Sequence, residues 1–369
     1  MSAAERPGLR QLVVLERGSQ HSELRTELSR ASFTREAELQ EPIGQGRVRC
    51  LACAHRCVLA GGATGVCGVR YNQAESLRAP YGYVARRYVR AVETNTIFHL
   101  RPGARALTFG MYGCDLRCPY CHNHRLSQAL RDGETQEHPI PITAEALVDE
   151  AIAAECQVLC AAYNEPLISA EWTRAIFRAA RARGLRTALV SDGHSTPEAL
   201  RYLRDDTDVF RVDLKAGTEA AYKKLGGRLE PVLDSIELAR ELGYWVEVVT
   251  LVVPGVNHDA DTLARIGAQL REIDANMPWH LNGFVPRYRM KDSPPASAML
   301  LMLAAGAAYV AGSRFVYVGN SPACAGLAHT RCPDCHALLV ERQAYATSEN
   351  RIRESSCPNC SAHLPGLWT

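Results

Sequence analysis

The chain lacks the segments that would carry it into or across a membrane. No apolar segment resembling a signal peptide stands at the amino end, where residues 1–49 are charged and mixed. The longest apolar stretch, from Met299 to Gly312, has 14 residues, whereas a membrane-spanning helix needs about 20. This stretch predicts a buried helix instead. We therefore expect a cytoplasmic protein with no membrane partner.

The chain also lacks a strong net charge. Its 42 Lys and Arg residues nearly balance its 40 Asp and Glu residues, which leaves a formal net charge of +2. This balance excludes a global basic field for nucleic acid, although a local patch stays open. Internal repeats and low-complexity tracts are absent too. With 369 residues, 47% of them hydrophobic, the chain is long enough for one large α/β domain and small appended modules.

Cysteine, by contrast, is plentiful. The 14 cysteines fall mainly into three groups, within residues 50–67, 114–121 and 332–360. Such clustering in a long chain without a secretion signal favours metal sites over disulfides. The remaining cysteines are predicted to be ordinary buried thiols; they are Cys156, Cys160 and Cys324.

From about residue 105, short apolar runs alternate with helical stretches. The predicted strands are 106–112, 157–162, 186–191, 208–213, 245–252, 279–284 and 314–318. The predicted helices are 143–155, 170–183, 197–204, 217–224, 231–242 and 259–274. Strand–helix alternation at this spacing indicates βαβ units and a parallel sheet. Periodicity alone leaves two architectures open, a curved partial barrel and a flat doubly wound sheet.

The central cysteine group has a spacing typical of an iron–sulfur site. Cys114, Cys118 and Cys121 lie directly after a predicted strand, where parallel sheets and barrels bind their ligands. A 4Fe–4S cluster normally takes four thiolates, so three leave one iron open for another ligand. A zinc site, the alternative, more often uses paired C-x-x-C motifs and four ligands. We therefore predict a 4Fe–4S cluster at these three cysteines.

This cysteine motif and the motifs downstream of it resemble one enzyme family. Cys118-Pro-Tyr-Cys121-His-Asn is similar to the cluster loop of the pyruvate formate-lyase activating enzymes, which are radical S-adenosylmethionine (SAM) enzymes. Motifs similar to theirs follow in the same order: Tyr163-Asn-Glu-Pro166, Ser191-Asp-Gly193, Asp213-Leu-Lys215, Val253-Pro-Gly255 and Trp279-His280. A narrower resemblance, over residues 47–345, is to the radical SAM enzymes of the AmmeMemoRadiSam system. It adds the segments Cys50–Arg70, His99–Gly103 and Tyr317–Asn320.

The resemblance implies a fold, a cofactor set and a reaction. The implied fold is α/β, a radical SAM partial (β/α)6 barrel. SAM would bind the open iron, and one-electron reduction would split a C–S bond to give a radical, expected to be 5′-deoxyadenosyl. The cofactor carries this chemistry, while the protein positions it. The implied partners are SAM, a substrate and a low-potential electron donor such as flavodoxin or ferredoxin.

The motifs after the strands supply candidate contacts to SAM. Asn164 and Glu165 could accept hydrogen bonds from the SAM ammonium, or Asn164, which stands before Glu165-Pro166, could cap a helix. Asp213 and Lys215 alternate along a strand end and so point to one face. There they could bind both ends of the amino-acid moiety, or form only a surface ion pair. The other candidates are Asp192 at the ribose or sulfonium, Tyr120, Val253 and Gly255 at the adenine, and His280, which could face SAM or the substrate or be a structural histidine.

The last cysteine group resembles a zinc ribbon. Two C-x-x-C pairs separated by residues 336–356 supply four thiolates, which close a tetrahedral site and predict a structural zinc ion. Rubredoxin-like iron is the alternative. The four predicted ligands are Cys332, Cys335, Cys357 and Cys360.

The first cysteine group also offers four ligands. Glycines at 61, 62 and 65 make the loop between its third and fourth cysteines flexible enough to fold back. Zinc and a second 4Fe–4S cluster both remain open, because ligand spacing does not settle the identity of the metal. The predicted ligands are Cys50, Cys53, Cys57 and Cys67.

These features predict four parts and one principal function. The parts are a leader at 1–45, a cysteine-rich module at 46–104, the radical SAM barrel at 105–323 and the zinc ribbon at 324–369. We expect an enzyme that modifies an unidentified small molecule or peptide. One alternative is an activase that places a glycyl radical on a protein partner, although the related activases do not depend on a C-terminal ribbon. The other is a nucleic-acid-associated protein whose cluster is structural.

Overall fold

The computed structural model describes residues 23–133, 135 and 137–369. In this part of the chain, one eight-stranded sheet is accompanied by four smaller sheets. Residues 1–22, about half of the predicted leader at 1–45, lie outside the described residues. Residues 23–28, at the start of the described chain, are helical.

Small antiparallel sheets make up the cysteine-rich module. The strands before residue 92 are β1 (Thr34–Glu36), β2 (Gln40–Gly44), β3 (Arg47–Cys50), β4 (Val58–Leu59), β5 (Tyr71–Gln73), β6 (Ser76–Pro80), β7 (Tyr83–Val84) and β8 (Arg86–Ala91). Strand β1 pairs with β6, and β2 pairs with β3. Residues 34–44 of the predicted leader therefore form part of this module's sheets.

The eight-stranded sheet forms the centre of the molecule. The next strands are β9 (Arg105–Gly110), β10 (Ile140–Pro141), β11 (Val158–Ala161), β12 (Arg186–Ser191), β13 (Val209–Asp213), β14 (Trp245–Val252), β15 (Trp279–Gly283) and β16 (Val316–Gly319). Within the eight-stranded sheet the strand order is β16-β15-β14-β13-β12-β11-β9-β8. All neighbours are parallel except β8, which pairs antiparallel with β9, while the short β10 pairs with β7 outside this sheet. The predicted α/β fold is confirmed, with six strand–helix units followed by a seventh parallel strand in an open sheet.

Helices connect the parallel strands. They are α1 (His124–Ser127), α2 (Ala129–Asp132), α3 (Ala144–Ala153), α4 (Ala170–Ala182), α5 (Pro197–Leu203), α6 (Glu219–Leu225), α7 (Glu230–Glu241), α8 (Ala260–Asp274) and α9 (Ala298–Val310). Short 3-10 turns occur at Ala31–Phe33, Val92–Asn95, Pro166–Ser169, Arg204–Asp206, Tyr288–Met290 and Pro322–Ala328. Five helices start after a side chain that accepts a hydrogen bond from the backbone N–H three residues on, which stabilises a helix start. These side chains are Thr143, Thr196, Thr218, Asp259 and Ser297.

Both faces of the eight-stranded sheet are buried, as expected for parallel strands. One face packs against the helices through residues such as Phe109, Leu189 and Phe210. The opposite face is covered by residues 92–104, whose apolar side chains pack on Val158 and Val209. This second cover was not predicted from the sequence.

The C-terminal cysteine module packs on the same side. Its strands are β17 (Thr330–Arg331), β18 (Leu338–Gln343) and β19 (Ala346–Asn350). Leu339 and Trp368 share one hydrophobic cluster with Phe98, Phe315 and Tyr317. The ribbon predicted at 324–369 therefore shares a hydrophobic cluster with the central domain. The module has too few large apolar residues for a core of its own, and it completes one with the central sheet.

Helix α9 differs from its prediction as a buried helix. Leu301 and Ala304 are buried, but Met299, Leu303 and Val310 have relative exposures of 62%, 65% and 90%. The run is apolar all round, so its composition could not show which face meets solvent.

Candidate functional site

A cavity of about 440 Å³ opens where the parallel strands end. The loops after β9, β11 and β12 and the end of β13 bring polar side chains to its wall, as parallel sheets commonly do for ligands. Eight of the residues predicted to bind the cluster or SAM line it: Cys114, Cys118, Cys121, Asn164, Glu165, Asp192, Asp213 and Lys215.

The three cysteines follow a tight turn after β9. Gly113, at φ +91°, lies so close to the cysteine-rich module that a Cβ on it would stand 2.8 Å from the Cys67 carbonyl oxygen, so only glycine fits. The Leu116 N–H donates to Cys114 Sγ at 3.4 Å. Arg131 fixes the loop from behind by donating to the Cys114 carbonyl at 2.6 Å.

The cysteines form an open set of three thiols on one wall. Burial raises the pKa of Cys118 to about 12 and that of Cys114 well above its usual value. A metal would therefore be needed to hold these sulfurs as thiolates at neutral pH. Ser127 Oγ lies 3.2 Å from Cys121 Sγ and supports the third thiol.

Asp192 stands beside the first cysteine. Its Oδ2 lies 3.8 Å from Cys114 Sγ, and its Oδ1 accepts from the His194 backbone N–H at 3.1 Å. Burial and the nearby charge of Asp115 raise the pKa of Asp192 to about 7. His194 Nδ1 lies 2.9 Å from Asp115 Oδ2. Asp115, the residue after Cys114, and His194 therefore form a buried pair that was not predicted from the sequence.

Asn164 and Glu165 reach the cavity wall but are already hydrogen-bonded within the protein. Glu165 accepts from the Leu167 N–H at 2.9 Å, as the cap of the turn that follows. Its carboxylate also accepts from the Ser191 hydroxyl at 2.9 Å and from the Asp192 N–H at 2.8 Å. Asn164 Oδ1 accepts from the Met111 N–H at 2.9 Å. The cap of this turn is thus Glu165 and not Asn164, and both side chains hold the cavity's loops together.

Asp213 lies between two cations rather than in one surface pair. Lys215 Nζ is 3.2 Å from its Oδ2, and Arg211 Nη1 is 2.5 Å from its Oδ1. Lys215 and Arg211 both line the cavity, and Arg211 Nε is buried without a hydrogen-bond partner. Sequence reasoning missed Arg211, although its position two residues before Asp213 puts it on the same strand face.

Tyr120, Val253 and Gly255 lie outside the cavity lining. Tyr120 and Val253 are buried in an apolar cluster that contains Cys118. Gly255 has φ +77°, and a Cβ on it would meet no atom within 4 Å. The side chain of Asn257, which was not predicted, ties this loop to the site by donating to the Lys215 carbonyl at 2.8 Å.

His280 does not reach the cavity. It is fully buried, and its Nε2 lies 2.7 Å from Glu247 Oε2. Its ring packs on Phe98 and Tyr317, with centroids at 4.8 and 4.9 Å. The structural role weighed against SAM or substrate binding is the one observed here.

The four C-terminal cysteines form a compact thiol group. Sγ of Cys332 is 3.6 Å from that of Cys360, and Sγ of Cys335 is 3.7 Å from that of Cys357. All four sulfurs lie within 4.8 Å of one another. This group could hold a metal ion.

Comparison with known proteins identifies the central domain. Residues 109–266, which contain the three cysteines and most of the cavity wall, match the family model of the radical SAM superfamily. The chain belongs to this superfamily. It is a catalytic family whose domain implies a 4Fe–4S cluster and SAM, and the three thiols on a polar cavity fit a cluster with one open iron.

Two relatives are similar to this chain in sequence. An uncharacterized protein of Methanocaldococcus jannaschii is 33% identical over 314 residues, which cover 84% of this chain and 92% of the relative. Pyruvate formate-lyase 1-activating enzyme of Escherichia coli is 29% identical over 185 residues, covering 47% of this chain and 70% of that enzyme. The predicted relationship to the activating enzymes is thereby confirmed.

Solved structures show a weaker likeness. A radical SAM methyltransferase from Sphaerobacter thermophilus is 15% identical and aligns over 62% of this chain and 71% of its own, with a TM-score of 0.45. Within the described part of this radical SAM enzyme, no helix has the length and apolar character needed to cross a membrane.

Proposed function

We propose that this enzyme cleaves SAM reductively and uses a 5′-deoxyadenosyl radical to modify a small molecule or peptide. The observation that carries the proposal is the open set of three thiols, Cys114, Cys118 and Cys121, on the wall of a cavity that also holds acidic and basic side chains. A bound 4Fe–4S cluster supplies the electron for C–S cleavage.

The cavity's charges suit the methionine end of SAM. We assign Asp192 as an acceptor for the SAM ammonium and Lys215 as a donor to the carboxylate. Asp213 keeps Lys215 in place by its 3.2 Å contact. Glu165 keeps Asp192 in place through its hydrogen bond to the Asp192 N–H. In this proposal Asp213, Glu165 and Asn164 act mainly as positioning residues, because their polar atoms already have partners.

The adenine would lie against the apolar cluster beside the cysteine loop. Tyr120 and Val253 belong to this cluster. The open space at Gly255 leaves room for close approach of the base. His280 has no part in this site.

The substrate would reach the radical from the part of the cavity near Arg211. Arg211 lies two residues before Asp213 on the same face of β13, farther from the end of the strand. Its Nε has no hydrogen-bond partner, which suits a substrate with a carboxylate or phosphate group. A low-potential one-electron donor such as flavodoxin or ferredoxin would supply the electron. Direct modification is favoured over activation of a protein partner, because the related activases do not depend on a C-terminal ribbon, which this chain carries.

We also propose that the four C-terminal cysteines bind one structural zinc ion. A Zn–S distance of about 2.3 Å in a tetrahedron places sulfurs about 3.8 Å apart, close to the separations of 3.6 and 3.7 Å here. The shared core of this module argues against a protein in which a ribbon for nucleic acid is primary.

Mass spectrometry of the SAM products tests the proposed reaction. The anaerobic protein is reduced chemically in the presence of SAM, and Cys118→Ala serves as the inactive control. We expect 5′-deoxyadenosine from the native protein and none from the variant. Methylthioadenosine would show cleavage of another C–S bond, and no cleavage by cluster-loaded native protein would refute the proposal.

A further inference from the structure

The three cysteine groups differ in how far their thiols stand apart. Of the residues that the structure describes, only the C-terminal group has three or more cysteine sulfurs within 4.8 Å of one another. Thiolates around a single ion must be that close, whereas thiolates on separate irons of a cube stand farther apart. The three sulfurs of the radical SAM loop are not all within 4.8 Å of one another, which agrees with ligands of separate irons.

In the N-terminal group, too, no three sulfurs lie within 4.8 Å of one another. Two of its sulfurs flank one glycine of the module. A Cβ on Gly65 would lie 3.6 Å from Cys57 Sγ and 3.8 Å from Cys67 Sγ, and the Cys50 N–H donates to the Cys57 carbonyl at 2.9 Å. Three of the four cysteines, Cys50, Cys53 and Cys67, are buried. Cys57 and Cys67 therefore lie at one loop, while no three sulfurs of the group are as close together as a single zinc ion requires.

The module also touches the loop of the radical SAM cluster. The Cys67 carbonyl packs on Gly113, the residue before Cys114. Arg131 donates to the carbonyls of Val66 and Cys114, each at 2.6 Å. One guanidinium thus holds both cysteine loops.

We infer that the N-terminal module holds a second 4Fe–4S cluster, adjacent to the radical SAM cluster, and not a zinc ion. The ligands are Cys50, Cys53, Cys57 and Cys67. The inference rests on thiol spacing and does not require that SAM be cleaved, so the two proposals can fail separately.

The test removes the other cluster and leaves this one. In the triple variant Cys114→Ala, Cys118→Ala, Cys121→Ala, purified anaerobically, we expect the iron and sulfide of one cube per chain and one zinc. Reduction should give a paramagnetic signal that SAM does not change. Two zinc ions and no iron per chain would overturn the inference. Cys156→Ala, which removes a buried thiol outside the three groups, is the matched control and should keep the native iron content.

A separate measurement tests whether the two clusters are adjacent. When both clusters of the native protein are reduced, their electron paramagnetic resonance spectrum should be broadened or split by spin coupling, relative to the signal of the triple variant. A native spectrum equal to the sum of two independent signals would contradict the placement. SAM cleavage, measured on the same native preparation, reports separately on the proposed function.

Discussion

His280 donates to Glu247 across 2.7 Å in a pair whose side chains are fully buried. The same carboxylate accepts from the backbone N–H groups of Phe98 and His99 at 2.9 and 2.8 Å. Glu247 therefore ties the segment that covers the sheet to strand β14. Trp245 Nε1 also donates to this carboxylate at 3.0 Å. The Glu247 side chain therefore joins β14, β15 and the segment that covers the sheet.

Because Glu247 accepts these hydrogen bonds as a carboxylate, we predict that the protein loses stability in acid. Burial opposes ionisation of Glu247, but the His280 hydrogen bond and the backbone donors hold its pKa at about 2, below the ordinary 4.5. A carboxyl with a lowered folded pKa stabilises the fold above pH 4.5, and this contribution disappears as pH falls from 4.5 through 2. Burial also lowers the pKa of His99 to about 4 from 6.5. The unfolded chain then takes up that proton first, so stability falls between pH 6.5 and 4 as well.

Denaturant unfolding of the native protein and Glu247→Gln across pH 2 to 7 measures the carboxyl's share. The shift of Glu247 corresponds to about 3 kcal/mol, so the variant should be less stable by that order at pH 7 and should depend less on pH below 4.5. The exposed Glu241→Gln is the control. Equal pH profiles for native protein and Glu247→Gln would contradict this role.

Lys215→Ala should weaken SAM binding without loss of iron. Removing one partner of a buried charged contact typically costs about 2–5 kcal/mol, and Lys215 is the cation assigned to the SAM carboxylate. Calorimetry of SAM binding to cluster-loaded protein provides the measurement. Lys224→Ala, on the exposed side of α6, should bind SAM like the native protein. Native affinity in Lys215→Ala would show that another group holds the carboxylate.

Gly319→Ala should destabilise the end of β16. A Cβ at this position would overlap Asn282 Oδ1 and lie 3.3 Å from Tyr345 Oη. Overpacking of this kind costs roughly 1–3 kcal/mol. Gly306→Ala in α9 is the matched change, because a Cβ there meets no atom within 4 Å and alanine is the better helix former by about 1 kcal/mol. Thermal unfolding should move in opposite directions for the two variants. A Tm for Gly319→Ala at or above the native value would contradict the crowding argument.

The sequence predicted strands and helices correctly where the hydrophobic pattern along the chain matches burial in the fold. Every predicted strand and helix of the central domain lies within two residues of its observed bounds, because Val- and Leu-rich runs bounded by turn residues are buried on both faces of the sheet. Strand β8 escaped prediction for the opposite reason. It is an edge strand whose sequence, Arg86 to Ala91, is mostly polar and partly exposed, as edge strands often are.

The site was predictable where ligands lie close together along the chain. Three cysteines within eight residues were recognisable, and residues at strand ends were expected to meet. The contacts of Asp115 with His194, and of Glu247 with His280, join residues far apart in sequence, and no local pattern shows them. His280 was assigned to SAM or the substrate because the motif gives its position in the chain, not the direction of its side chain.

Removal of the C-terminal metal should loosen the central domain as well as the module. Metal binding in such modules supplies apparent free energies of about 10–16 kcal/mol, and the core that depends on it includes Phe98 and Tyr317. His99 Nδ1 also lies 2.8 Å from the Pro365 carbonyl, and Arg342 donates to the Phe98 carbonyl at 2.9 Å. Chelation, or the variant Cys335→Ala, should therefore increase hydrogen exchange at residues 96–101.

The radical SAM cluster should stay in place, because its loop is held by Arg131, which donates to the Cys114 carbonyl and to the Val66 carbonyl of the cysteine-rich module. Iron analysis measures whether the cluster is retained, and hydrogen exchange on the same sample measures whether residues 96–101 have loosened. Cys324→Ala, a buried thiol outside the four-cysteine group, controls for loss of a sulfur. If zinc is removed and exchange at residues 96–101 stays native, the module is an independent appendage. If exchange rises there while iron is retained, the C-terminal metal stabilises the cover of the sheet, because the segment from Phe98 to Arg101 is held between Glu247 on one side and the module on the other.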